Sequence, residues 1–462
     1  MTAATTRSHD WDQVLTELQS IASGQSETIE IIRDPAQVAK LSKDYYSYSP
    51  LLVAALADKV GDVVVRPANE AEVIQVAAVC TRHRIPVTVR GAGTGNYGQC
   101  IPLRGGVILD MSKMQAVKWA KPGMARVEAG VKMAALDKQT REIGWEIRMA
   151  PSTYRTATIG GFIGGGSGGI GSITYGLLAD RGNLLALRVV TMEEEPQVIE
   201  LRGDDVYKVA HAWGTNGIIT ELEIPLAPAY PWAEFIVTFP DFMTAARFGQ
   251  ALGDADGIVK KLICICAAPI SNYFAPFKDH IPADSHCALL MVAEPCLEPF
   301  GELVKEFGGM IRYQKSAQET GKGVAIGEFT WNHTTLHARS IDPSLTYLQT
   351  LFPADKELKL VEHLYHHFGD EVMMHLEYIR VKGVVIPAAL QIVRYSTPER
   401  LQEIIKYHED NGALIANPHT YIIEEGGRKT IDPQQLEFKK RVDPYGLLNP
   451  GKMRTWEELQ AT

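Results

Sequence analysis

No stretch of this chain approaches eighteen consecutive apolar residues, which argues against a helix that spans a bilayer. Positive charge is not in excess: 46 Lys and Arg stand against 55 Asp and Glu, a formal net charge of −9. Neither a nucleic acid nor an anionic membrane surface is therefore expected as a partner. Cysteine is scarce, six in 462 residues, too few and too dispersed for a disulfide framework. Cys264 and Cys266 fall in an apolar run (KLICICAA) and read as buried thiols rather than a zinc pair, and no metal site is expected. The opening MTAATTRSHDWDQ lacks the apolar core of a secretory signal, so a reducing cytoplasm is the expected location. There is no internal repeat or low-complexity tract, and no Gly-Lys-Ser/Thr closes a glycine cluster, which excludes a P-loop. What remains is an ordinary composition, 45% hydrophobic and 22% charged, in a length that suits two domains.

Glycine is where the chain departs from the ordinary. The twelve residues Gly160 to Gly171 (GGFIGGGSGGIG) hold eight of its 40 glycines, and Arg90 to Gly95 (RGAGTG) forms a second cluster upstream. Each glycine in a folded segment costs about 0.5–1 kcal/mol relative to alanine, so such a density makes sense where the main chain itself must touch a ligand. Two clusters in one folding unit suggest a large anionic ligand, a dinucleotide. A Rossmann site is not the way it is held. Asn96 stands at the third glycine position, and NYGQCIPLRGG (96–106), with its proline and three glycines, cannot form the required helix. Successive N–H groups pointing into a concavity can still hold phosphate without a helix dipole.

Hydrophobic periodicity organises the rest. Residues 1–56 read as a helical lead-in. Strands are expected at Asp62–Pro67, Ile85–Arg90, Gly106–Met111, Ala125–Ala129, Asn183–Thr191 and Gly217–Pro225. Asn69 with Glu72 marks a capped helix between the first two. A Pro-rich stretch, APAYP (227–231), ends this α+β unit, 57–228. Beyond it, 229–410 alternates strands (234–239, 287–293, 384–395) with helices (241–252, 355–368, 398–411), the make-up of a second α+β domain with an antiparallel sheet. The last segment, 411–462, ends in DPYGLLNPGKM (443–453).

Taken in order, VVRPANEAEV (64–73), IPVTVRGAGTG (85–95), GGVILDMSKM (105–114), ARVEAGV (125–131), TATIGGFIGGGSGGIGSITYG (156–176), NLLALRVVT (183–191) and AWGTNGIITELEIPL (212–226) resemble the flavin-binding domain of the vanillyl-alcohol oxidase family. This is the p-cresol methylhydroxylase (PCMH) type. The terminal DPYGLLNPGKM is similar to the end of the branch holding the glycolate oxidase D-subunit and D-lactate dehydrogenase. The resemblance implies a two-subdomain PCMH-type FAD-binding domain, a substrate (cap) domain, and FAD in an elongated conformation. By the same resemblance Gly91, Ala92, Gly93, Thr94, Gly95 and Asn96 wrap the pyrophosphate. Thr158, Gly160, Gly161, Ser167, Gly168, Gly169 and Gly171 line the rest of the cofactor, and Gly217, Ile218 and Ile219, near Pro67, face the adenine end. Relatives with a histidyl flavin link carry histidine where this chain has Thr94, and those with a cysteinyl link carry cysteine near 154–157, where it has none. The FAD is therefore expected to be non-covalent.

The substrate side is less marked. The lactate and glycolate branch often carries His-x-Gly-Asp-Gly-Asn for a divalent metal; here His367-Phe-Gly-Asp-Glu-Val departs from it. Flavin oxidation of an alcohol needs a base near the carbon that loses hydride. His419, between Pro418 and Tyr421, lies where the branch has an active-site turn and is the first candidate, with Tyr421 beside it; a histidine satisfied by main chain in a turn is the competing reading. His333 (TWNHTTLHAR) and Arg380, a carboxylate anchor, follow, with Arg394. The expectation is an FAD-dependent oxidoreductase, dehydrogenase or oxidase, taking hydride from a small polar alcohol or hydroxy acid. The electron acceptor is left open, as is a homo-oligomer. A flavin-binding electron-transfer or assembly subunit without its own substrate is the alternative, and a nicotinamide-dependent dehydrogenase a further rival.

Overall fold

A computed structural model describes residues 10–21, 29–166, 168–319, 322–426 and 432–461. Among these residues the chain forms three sheets in sequence order. The first is four-stranded, in the order Glu30–Ile32, Val63–Arg66, Val107–Asp110, Val87–Arg90. Its last three strands are mutually parallel, and helix Glu70–Arg82 makes the crossover from the second to the fourth. The capping box forms as expected: Asn69 accepts from Glu72 N at 3.0 Å, and Glu72 Oε2 accepts from Ala68 N at 2.7 Å. Strand Glu30–Ile32 is a departure from the helical reading of the first 56 residues. Three residues are too few to show a period, and the strand exists by pairing antiparallel with Val63–Arg66.

The second sheet is antiparallel and six-stranded, built around the long strand Ile218–Pro228, which is flanked by Met124–Glu128 and Ala186–Val190 and paired at its end with Trp145–Ile147. The third has nine strands, all antiparallel, and runs from Met310–Lys315 through Trp232–Phe239, His286–Ala293, Lys260–Cys266, His375–Val381, Val384–Arg394 and Leu345–Leu351 to Leu414–Ile415. Both faces of this sheet are buried. One packs on helices Phe242–Asp254, Leu297–Glu306, Lys359–Phe368 and Pro398–Asp410, and the other on Phe274, Phe277, Phe329 and Ala338. Its central strands accordingly read as continuous apolar runs rather than alternating ones.

The C-terminal segment returns to the first sheet. Leu448 bridges Val87 in parallel, and Asn449 Nδ2 donates to the carbonyls of Gln99 and Trp213, both at 2.6 Å. Lys452 Nζ, fully buried, donates to the Gly98 carbonyl at 2.6 Å. The loop after strand Val87–Arg90 is therefore fastened by residues far along the chain. No helix among the described residues is long and apolar enough to cross a membrane.

Candidate active site

Where the three sheets meet lies a cavity of about 1110 Å³, larger than the roughly 300–1,000 Å³ of ordinary small-molecule sites. The first sheet contributes the loop after Val87–Arg90, and the second contributes helix Ile159–Gly165 and the turn ahead of Ile218–Pro228. The third contributes Trp331, Asn332, His333, Glu377 and Leu390.

The glycine loop is shaped from below. Arg90, buried, donates from Nη1 to the carbonyls of Leu41 (3.0 Å) and Lys43 (2.6 Å) and from Nη2 to that of Ala92 (3.3 Å). Gly93 sits over this guanidinium at φ +67, where a Cβ would lie 2.0 Å from Nη2. Thr158 caps the glycine helix by accepting from Gly161 N at 3.3 Å, and a Cβ on Gly91 would lie 2.1 Å from its Oγ1, so the first loop packs against the start of that helix; Thr153 Oγ1 donates to Thr94 Oγ1 at 3.3 Å. Within the helix, Gly164 and Gly165 line the cavity, and a Cβ added at either would meet nothing within 4 Å.

Most of the expected cofactor residues converge here: Gly91, Ala92, Gly93, Thr94, Gly95, Asn96, Thr158, Gly160, Gly161, Gly168, Gly217 and Ile219 all line the cavity. Four do not. Gly169 and Gly171 pack against main chain, where a Cβ would lie 2.2 Å from the Ala150 carbonyl and 1.9 Å from the Arg148 carbonyl. Ile218 is buried in the core between the first two sheets, and Pro67 is buried away from the cavity. Ser167 lies outside the described residues.

The catalytic expectations are redistributed. His419 is buried and off the cavity, its Nε2 2.9 Å from the Tyr347 carbonyl and its Nδ1 2.8 Å from the Ser49 hydroxyl. Nε2–H must be the donor to the carbonyl, which leaves Nδ1 to accept from Ser49; both nitrogens are used. Burial pushes its pKa down to about 4. His419 is thus a histidine satisfied within the fold, the competing reading given above, and not a base facing a ligand. Tyr421 packs on Tyr46, Leu52, Leu56 and Ile101, with Lys452 Nζ 5.1 Å from its ring, also off the cavity. Arg380 is engaged by the carbonyls of Ile173, Gly383 and Gly253 and by Asp256 at 2.9 Å. Arg394 donates to the Asp370 carbonyl at 3.1 Å. Neither arginine lines the cavity.

His333, by contrast, faces it. Its Nδ1 is 3.3 Å from Glu328 Oε2, a close charge contact without the alignment of a hydrogen bond, and Nδ1 has no hydrogen-bond partner. His333 and Arg155, whose Nε is 3.0 Å from Glu328 Oε1, hold the Glu328 carboxyl below the usual carboxylate range. Arg155 is the one arginine lining the cavity among the described residues. Around His333 the buried Trp331 Nε1 and Asn332 Oδ1 are also unpartnered, while the Asn332 side chain lies against the hydroxyl of Tyr347. Unsatisfied buried polar atoms are rare in native proteins, and three on consecutive cavity-lining residues mark a place where a polar ligand belongs. Trp331 adopts φ +52, a strained value for so large a side chain, and its N–H donates to Glu377 Oε1 at 2.5 Å. The string WNH was visible in the sequence, but only its histidine suggested chemistry; the other two residues matter through where the strand Leu345–Leu351 and helix Asn332–Ile341 put them.

These positions fit a dinucleotide with a small polar molecule beside it: a glycine-walled channel at one part of the cavity, unpartnered polar groups at another. Comparison with known proteins agrees. Residues 61–199 match the family described as FAD binding domain. Glycolate oxidase subunit GlcD of Escherichia coli is 31% identical over 207 residues, 43% of this chain and 41% of that protein. D-lactate dehydrogenase of Archaeoglobus fulgidus is 31% identical over 193 residues, 40% of this chain and 42% of that protein. An uncharacterized FAD-linked oxidoreductase of Mycobacterium tuberculosis is 28% identical over 275 residues, 54% of this chain and 59% of its own. The match thus spans less than half the length of the first two. A solved structure of alkyldihydroxyacetonephosphate synthase superposes with a TM-score of 0.72 at 15% identity, covering 96% of this chain and 85% of that one, which shows a shared fold.

Proposed function

We propose that this chain, whose residues 61–199 match the FAD binding domain family, is a PCMH-type FAD-dependent oxidoreductase acting on the CH–OH group of a small polar alcohol or hydroxy acid. Two of its relatives are named for glycolate and lactate, both 2-hydroxy acids. The four- and six-stranded sheets would form the two halves of the FAD unit (57–228), the nine-stranded sheet the cap (229–410), and 411–462 the return. When bound, FAD supplies the hydride acceptor.

His333 is the residue we assign as base. With Glu328 ionised beside Nδ1, an imidazole that takes the substrate hydroxyl proton gains a stabilising carboxylate, and Asn332 Oδ1 and Trp331 Nε1, buried in the wall behind it, would meet a substrate on a side-chain rotation. Arg155 is placed to meet a substrate carboxylate at the cavity rim. The cluster of unpartnered polar atoms carries this reading, because an electron-transfer or assembly subunit has no use for one.

The FAD is proposed to be non-covalent. Thr94 offers no nucleophile, and Cys100, the cavity-lining thiol, is pushed up to about 11 by burial and by Asp44, which keeps it protonated. A cytoplasmic location accords with six cysteines outside any disulfide. The test is an oxidised-flavin spectrum in purified protein, release of the colour by acid, and anaerobic bleaching by a panel of 2-hydroxy acids and short polar alcohols. Colour retained in the acid pellet would refute the non-covalent assignment. A flavin that no panel member bleaches, while dithionite does, would favour the substrate-free subunit.

A further inference from the structure

On the nine-stranded sheet, behind the wall that carries Trp331, adjacent strands present C-x-C and H-x-E to one another. Cys264 and Cys266 lie on Lys260–Cys266, and His375 and Glu377 on His375–Val381, with Cys266 opposite His375 and Cys264 opposite Glu377 in the antiparallel register. Period-2 alternation puts all four side chains on one face. All four are buried, none more than 1% exposed.

We propose that Cys264, Cys266 and His375, whose donor atoms lie within 4.8 Å of one another, bind a zinc ion beneath the cavity wall, with Glu377 beside the imidazole. The inference is independent of the oxidoreductase reading. Cys264 Sγ is 3.8 Å from Cys266 Sγ and 3.3 Å from His375 Nε2, and His375 Nε2 is 3.1 Å from Glu377 Oε1. A tetrahedral zinc with Zn–S about 2.3 Å and Zn–N about 2.0–2.1 Å has an S–S edge of about 3.8 Å and an S–N edge of about 3.5 Å, within a few tenths of the Cys264–Cys266 and Cys264–His375 separations. The imidazole is oriented for the task. Its Nδ1 lies 3.1 Å from the Leu390 carbonyl and donates to it, so zinc binding needs only the Nε2 proton, which otherwise faces Glu377 Oε1 at 3.1 Å, to leave. Thiol and imidazole donors select zinc over magnesium or calcium. Binding forms two Zn–S bonds and releases both thiol protons to solvent, and two thiolates with a neutral imidazole leave the site at a net charge of zero.

Three protein ligands leave one tetrahedral position, and Glu377, 3.1 Å from His375 Nε2, is the carboxylate beside it. The site's reach extends to the cavity through Glu377, whose Oε1 also accepts from the strained Trp331 N–H. Fixing Glu377 fixes the start of helix Asn332–Ile341. The pair Cys264 and Cys266 alone did not suggest this, because His375 lies more than 100 positions away in the chain.

Purified holoprotein, dialysed against a chelator, should retain about one zinc per chain, and X-ray absorption should show two sulfur ligands near 2.3 Å. Cys264→Ser with Cys266→Ser should lower zinc content at least about tenfold, whereas Cys296→Ser should not. Should the double variant fail to fold, absorption spectroscopy of the wild type still decides. Zinc below about a tenth per chain, zinc without sulfur ligands, or a mass showing a Cys264–Cys266 or Cys266–Cys287 disulfide overturns the proposal.

Discussion

At His419 the Tyr347 carbonyl and the Ser49 hydroxyl occupy both ring nitrogens, whereas at His333 one nitrogen waits beside a carboxylate. The two substitutions should therefore part company. His333→Asn should slow anaerobic single-turnover reduction at least about 10²-fold with little loss of stability. His419→Ala should leave that rate near wild type but lower stability by about 1–3 kcal/mol, through buried partners left unpaired. His419 also carries a pH signature. Its folded pKa of about 4 lies below the unfolded value of about 6.5, so the unfolded chain binds the extra proton. Its contribution is complete above pH 6.5 and fades as pH falls towards 4, by about 3 kcal/mol in all. Melting curves from pH 8 to 4 should show a shallower acid slope in the variant. An unchanged slope, or a crippled reduction rate in the His419 variant, would return the base to that turn. Nothing local in NPHTYII distinguishes these outcomes, since Ser49 lies 370 positions away. Sequence reasoning could name the histidine and its two meanings; tertiary burial chose between them.

The glycine cluster divides along the helix it begins with. Gly164 borders open cavity, while Gly171, at φ +105, is wedged against the Arg148 carbonyl. Gly164→Leu should fold, even gaining up to about 1 kcal/mol of helix propensity, yet retain at least about tenfold less flavin. Gly171→Ala should instead destabilise the whole unit, since neither its conformation nor its space admits a side chain. Apoprotein melting and flavin absorbance separate the two, and a flavin-replete Gly164→Leu would remove that helix from the cofactor wall. Glycine density announced that main chain meets something there. It could not say whether each glycine meets a ligand or another strand, because both demand the same missing Cβ. The regular elements were more legible. The Asn69–Glu72 box and the long apolar strands of the third sheet are local signals, whereas Glu30–Ile32 is a strand only through its partner.

Across the whole molecule, the cavity belongs to no single sheet. Its polar end hangs from the third and its glycine wall from the first two, and the C-terminal segment ties the arrangement together. Asn449→Ala should leave two buried carbonyls, of Gln99 and Trp213, without their donor. Flavin should then dissociate at least about tenfold faster, the equivalent of one such lost bond. Dilution of the variant into flavin-free buffer measures this, and an unaltered release rate would make the return segment mere packing.

That fastening also has a place in time. Gln99 and Asn449 are separated by 350 positions, and a ribosome adds about 5–20 residues per second. For roughly half a minute of synthesis the glycine loop is outside the ribosome without its latch. A nascent chain can fold its first sheets with this loop unfastened, so until Asn449 joins it a bound dinucleotide would leave about tenfold faster, as in the Asn449→Ala variant.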